Sequence, residues 1–177
     1  MKKLLSVICL AVAVAFAGAL APATPAMAQE AQSLQDMEAA IEALLIANAD
    51  DPDAFAAAVE AYVLAAANAE LAAEAVISVL TNPKSDEARL ALANNPALKT
   101  AGGMGLGAAI AQIGLTNPTV AANMQALVEA SGDATLQAAV AAGHTERTAS
   151  IQQQQLQSSG DTADSVDSTP ETPVSPN

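Results

Sequence analysis

The stretch Asp51-Pro52-Asp53-Ala54-Phe55-Ala56-Ala57-Ala58-Val59-Glu60-Ala61-Tyr62-Val63-Leu64-Ala65 decides how this chain folds. Asp51 can accept hydrogen bonds from the unpaired amides of a helix start, and Pro52 suits the first helical position because the N–H it lacks would find no partner there. Phe55, Val59, Tyr62 and Val63 then recur at i, i+4, i+7 and i+8, so the large side chains share one stripe of an α-helix.

The same grammar extends outward. Ser33-Leu34-Gln35-Asp36 reads as a capping signal ahead of Leu34, Met37, Ile41, Leu44 and Leu45 at helical spacing. Asn68 can cap a third helix carrying Leu71, Val76, Val79 and Leu80, which ends before Asn82-Pro83, and Ser85 or Asn82 can cap a short fourth. Asn95-Pro96 and Asn117-Pro118 repeat the punctuation; Gly132-Asp133 stops one helix and starts another, which Gly143 is expected to close. The predicted fold class is all-α, with alanine-rich short helices in antiparallel hairpins. It forms either a small bundle or a degenerate helical-repeat array, since Pro52, Pro83 and Pro118 are spaced for helix–turn–helix units or are generic helix starts.

Alanine loses no side-chain rotamer freedom in a helix, but its methyl buries little area. After residue 28 the only aromatics are Phe55 and Tyr62. The expectation is therefore a thin core of closely spaced helices, with Phe55 as a main anchor.

The segment Gly102-Gly103-Met104-Gly105-Leu106-Gly107-Ala108-Ala109-Ile110-Ala111-Gln112-Ile113-Gly114 carries no charge. If it is helical, Gly103, Gly107 and Ala111 form a small-residue strip that lets another backbone come close, for packing or self-association. Three readings follow: a buried central helix, a glycine loop before a short helix, or a membrane-inserting or self-associating segment. The buried helix is preferred because glycine exposed in a helix is costly, while a close neighbour makes its missing side chain useful.

Residues 1–28 read as a secretory signal peptide: Lys2 and Lys3, an apolar run from Leu4 to about Ala21, Pro22 and Pro25, then Ala26-Met27-Ala28 before Gln29. Cleavage is expected between Ala28 and Gln29, and the rival reading keeps the apolar run as a membrane anchor. Cys9 does not fit a lipoprotein site, because Ile8 precedes it and the apolar run continues past it. A helical domain is expected over 29–150 and a disordered Gln/Ser/Asp/Thr/Pro tail over 151–177.

Losing Lys2 and Lys3 takes the formal charge from −13 to −15, because every acidic residue lies after Gln29. So anionic a chain, with only Lys84, Arg89, Lys99 and Arg147 as cations, is not expected to bind nucleic acid or anionic lipid, and membrane insertion is not expected. The mature chain has no cysteine and a single histidine, His144, read as a surface residue near a helix end. Ordinary zinc sites and Cys–His nucleophiles are thereby ruled out, and a serine triad would depend on His144. Asp50, Asp51 and Asp53 lack the glycine and distal glutamate of a calcium loop and read as helix-start carboxylates. A sugar-cleaving cleft would want stacking aromatics, and the glycines lack a phosphate-loop Gly-Lys-Ser/Thr ending.

No catalytic, cofactor-binding or metal-binding residue is expected. The sequence points to an exported, non-catalytic interaction or structural module of the cell envelope of a Gram-negative bacterium, periplasmic or secreted, with a protein partner or itself as its ligand. The alternative is a membrane-active or self-assembling envelope protein that uses residues 102–115.

Overall fold

A computed structural model describes residues 33–160. The expected leader with its Ala28–Gln29 junction, and the tail from residue 161 onward, lie outside the described residues. Within them the chain forms seven α-helices and no strand: α1 (Leu34–Ala47), α2 (Pro52–Ala65), α3 (Ala69–Thr81), α4 (Asp86–Asn94), α5 (Ala97–Gly114), α6 (Pro118–Ala130) and α7 (Ala134–Gly160). None of these is long and apolar enough to cross a membrane.

The starts follow the capping chemistry. Ser33 and Asp36 form a reciprocal capping box, while Asp51, Asn68, Ser85 and Asn117 each accept a backbone N–H three residues on. Asp133 does the same for α7, accepting from Leu136 N–H at 2.9 Å. Asn95 departs from the pattern: α5 starts without a side-chain cap, and the Asn95 amide instead donates to the Ala49 carbonyl at 3.0 Å. Pro83 is buried in the α3–α4 turn and does not open a helix. The three prolines therefore do not mark equal units, and the arrangement is a small bundle.

Two expectations about α7 are corrected. Gly143 does not close this helix, because its missing side chain is used for packing, and His144 accordingly sits half-buried in mid-helix. Nor does regular structure stop at Ile151. The helix runs on through Gln152-Gln153-Gln154-Gln155 to Gly160, since glutamine is a good helix former and a nucleated helix gains one backbone bond for each residue added.

The chain folds back on itself in antiparallel hairpins. The Asp36 charge at the start of α1 acts on Tyr62 near the end of α2, and Gln137 near the start of α7 donates to the Glu129 carbonyl at the end of α6 at 3.1 Å. Two pairs that are not neighbours in the chain, α5 with α7 and α2 with α5, instead run parallel. Along α5 and α7 the partners rise together: Lys99 with Asp133, Gly103 with Leu136 and Ala139, Gly107 with Val140 and His144, Gln112 with Arg147. Along α2 and α5, Phe55 meets Gly102 and Ala56 meets Gly105.

Helix α5 occupies the centre, with its most extensive contacts to α7 and then α2. It is apolar on almost every side, the condition under which a helix is enclosed rather than laid on a surface. Leu98, Leu106 and Ile110 are fully buried, alongside Phe55, Val59, Leu80, Met124 and Leu136 from its neighbours. Met37, Ile41 and Leu45 attach α1 to the same core.

Candidate functional site

The uncharged glycine segment is the place where three helices touch. A Cβ built on Gly107 would stand 2.1 Å from the Val140 carbonyl oxygen, one on Gly143 would stand 2.1 Å from the Met104 oxygen, and one on Gly105 would stand 2.2 Å from the Ala56 oxygen. A Cα–Cβ bond is about 1.5 Å long, so each oxygen lies within about 3.7 Å of a glycine α-carbon, close to the range of Cα–H···O contacts. Between α5 and α7 these contacts are reciprocal. Gly103 and Gly107 on one helix face Ala139 and Gly143 on the other, each pair four residues apart, and Ala111 is buried one turn further on. Gly102 and Gly105 supply the second smooth face, toward Phe55, Leu80 and α2.

Such close approach brings polar side chains from three helices together near the far end. Arg147 Nη2 lies 2.7 Å from Glu60 Oε1 and 2.5 Å from Gln112 Oε1. Hydrogen-bond geometry is met only toward Gln112, so the Glu60 contact is Coulombic rather than a directed bond; Glu60 Oε1 and Arg147 Nε are both buried without a hydrogen-bond partner. Incompletely matched buried polar atoms of this kind are uncommon in proteins.

Two open grooves meet at this ion pair. One, of about 290 Å³, lies over a floor of small residues that includes Ala56, Gly105, Ala108 and Gly143, with Glu60, Glu146 and Arg147 on its walls. The other, of about 650 Å³, shares Arg147 and Ser150 and continues along Leu115, Ile151 and Gln154. Leu64, Leu115 and Ile151 stand one turn beyond Glu60, Gln112 and Arg147, at i+4, i+3 and i+4. Residues so spaced share a helix face, and Leu115 and Ile151 line the larger groove together. Leu64 is 37% exposed, Leu115 62% and, further along α7, Leu156 73%.

A different polar cluster holds α1 in place. Glu38, buried on α1, pairs with Lys84 and accepts from Ser78 Oγ at 2.6 Å; Glu42 accepts from the backbone N–H groups of Lys84 and Ser85. The Lys84 and Ser78 hydrogen bonds hold the Glu38 carboxyl below its ordinary range. Burial pushes Glu42 up, but its bonds to Ser85 and to the two backbone amides outweigh this and the net direction is down. Asp133 is lowered by its bonds to Lys99 and Leu136 N–H. Tyr62 is raised by burial and by the Asp36 charge, and its buried hydroxyl has no hydrogen-bond partner.

His144 lines a third groove between α6 and α7 with Gln125, Glu129 and Thr145, and no group of three or more potential metal ligands occurs among the described residues. Asp51 is engaged as the α2 cap, while Asp50 and Asp53 flank it in the open. The sequence points to the glycines and to residues 102–115 as a segment, but not to Glu60 or to the meeting of Gln112 with Arg147. The scarcity of cations could have drawn attention to Arg147, whereas its partners become visible only once α2, α5 and α7 are placed side by side. No protein-family model, no curated protein and no solved structure matches this chain.

Proposed function

We propose that this chain is an exported, non-catalytic helical protein that serves as an interaction or structural module of the bacterial cell envelope, in the periplasm or outside the cell. The observation that carries the reading is the exposed Leu115 beside the half-buried Ile151 on the lining of an open groove of about 650 Å³. Groups of that kind at an open edge favour a macromolecular partner. The export half of the proposal rests on residues 1–28 and their small-residue cleavage pattern.

The rival role, self-assembly or membrane insertion through residues 102–115, would need α5 to give up α2 and α7. Gly107 already has the Val140 backbone against it and Gly103 the Ala139 and Leu136 side chains, which favours the interaction role. A photo-crosslinking residue at position 115, introduced in cells, tests the choice. The expected product is a reproducible adduct with one other envelope protein, in material that carbonate washing releases. Adducts with the chain itself, or retention in the washed membrane, would move the assignment to the rival.

A further inference from the structure

Helix α1 is fastened to the bundle by its apolar stripe and, along one edge, by carboxylates. Asp36, Glu38 and Glu42 are its ionisable side chains, and two of them reach across to the α3–α4 turn and the end of α3. Glu38, only 4% exposed, pairs with Lys84 and accepts from Ser78 Oγ at 2.6 Å. Glu42 accepts from the backbone N–H groups of Lys84 and Ser85, the second at 3.2 Å.

The receiving side is braced without help from α1. Arg89 donates to the Pro83 and Lys84 carbonyls at 3.3 and 3.2 Å and pairs with Asp86 of its own helix, which fixes the turn on α4. Helices α2 and α3 bring no cation to α1. From α2 it meets the Tyr62 phenol, which faces Asp36 and is neutral in acid. On α3, Glu70 is bonded to Asn123 of α6 and Glu74 is exposed, as is Glu87 on α4. Lys84 is thus the one cation that the Glu38 carboxylate holds, and Glu42 is held by backbone amides.

Packing divides the molecule at the same seam. Helix α1 lies chiefly on α3 and less on α4 and α2, whereas α5 makes the most extensive contacts with α7 and α2, and α6 joins α3 to α5. From this we propose that α1 is a strap latched by Glu38 and Glu42 to the α3–α4 turn, which acid opens ahead of the bundle formed by α2, α3, α5, α6 and α7. The device goes beyond the interaction role proposed above and does not depend on it.

Both carboxyls titrate below the ordinary glutamate value of 4.5 when the strap is closed, so the open form takes up protons more readily and gains population as pH falls through that range. Asp133 also titrates low, but losing its pair with Lys99 leaves the glycine contacts of α5 with α7 in place. Opening uncovers Met37, Ile41 and Leu45 on α1 together with apolar side chains of α3, a surface that the closed form hides.

Amide hydrogen exchange of the purified protein at pH 7 and pH 4, with each rate divided by the intrinsic rate at that pH, reads such openings even when they are rare. Protection of the amides from Ile41 to Ala47 should fall at least about tenfold more between the two conditions than protection from Leu106 to Ile110 in α5. The double variant Glu38→Gln/Glu42→Gln keeps the shape of both side chains and cannot titrate there. It should show weakened α1 protection already at pH 7 and lose the extra pH dependence. Should it fail to fold by circular dichroism, Glu42→Gln alone, at a half-buried position, should lose part of that dependence.

An equal fall in α1 and α5 would mean that acid opens the molecule as a whole and would overturn the proposal. So would α1 protection that is the same at both pH values. Full pH dependence retained in the glutamine variants would assign the acid response to other carboxylates, also against the proposal. The crosslink at position 115 judges the interaction role separately in every case.

Discussion

At Gly107 a single methyl group separates a stable crossing from a steric clash. The α-carbon is already against the Val140 carbonyl, a rigid backbone group, so Gly107→Ala should force α5 and α7 apart even though alanine is the better helix former. The expected cost is at least about 3 kcal/mol, the upper part of the range for overpacked cores. Gly114→Ala is the matched control. Its added Cβ would meet only Ala121 Cβ at 3.7 Å, an ordinary contact, and the change should be neutral or stabilising by up to about 1 kcal/mol. The urea midpoint should fall for Gly107→Ala and hold or rise for Gly114→Ala, and a similar loss in both would mean that the close crossing at Gly107 is not what sets the cost. Phe55 is the complementary case: fully buried, it fills the space that Gly102 leaves open. Phe55→Ala should cost about 3–5 kcal/mol, and an unchanged urea midpoint would contradict its place in the core.

Each helix depends on how its ends are satisfied as well as on its buried face. Asp51 and Asn68 accept from Ala54 and Leu71 N–H at 3.0 and 3.1 Å, and both side chains are exposed enough to have no other structural duty. Asp51→Ala and Asn68→Ala should therefore each cost about 1 kcal/mol, measured by denaturant melts, and the two losses should add because the caps share no partner. Pro96 gives α5 no comparable anchor, and that helix owes its position to neighbours on both sides. Helix α7 shows the opposite balance. Its first half is pinned by Asp133, Ala139 and Gly143, whereas the side chains from Gln152 to Ser158 are exposed. Amide exchange should accordingly be slow through Val140 and fast beyond Gln152, and uniform protection along α7 would show that the overhang is covered.

Across the whole molecule, carboxylates with lowered pKa link stability to acid. Glu38, Glu42 and Asp133 bind protons less readily when folded than when unfolded, so their contribution is fully present above the ordinary glutamate value of 4.5 and is lost as pH falls through the lower folded values. The urea midpoint at pH 3.5 should lie below that at pH 7. Because the Lys84 hydrogen bond is the main cause of the Glu38 shift, Lys84→Met should shrink the difference between the two, and an unchanged difference would place the acid sensitivity elsewhere. The amino-acid sequence by itself determined that the described chain is helical and where most helices begin, because capping and 3.6-residue periodicity act within a few neighbouring residues: Ser33, Asp51, Asn68, Ser85 and Asn117 do locally what their types dictate. It also singled out Gly103, Gly107 and Ala111 by spacing. Whether Gly143 ends a helix or admits a backbone was not a local matter, and neither was the meeting of Glu60, Gln112 and Arg147. Those outcomes belong to tertiary structure, because they depend on α2, α5 and α7 lying parallel at a separation set by glycines on facing helices, and no window of adjacent residues contains both sides of that contact.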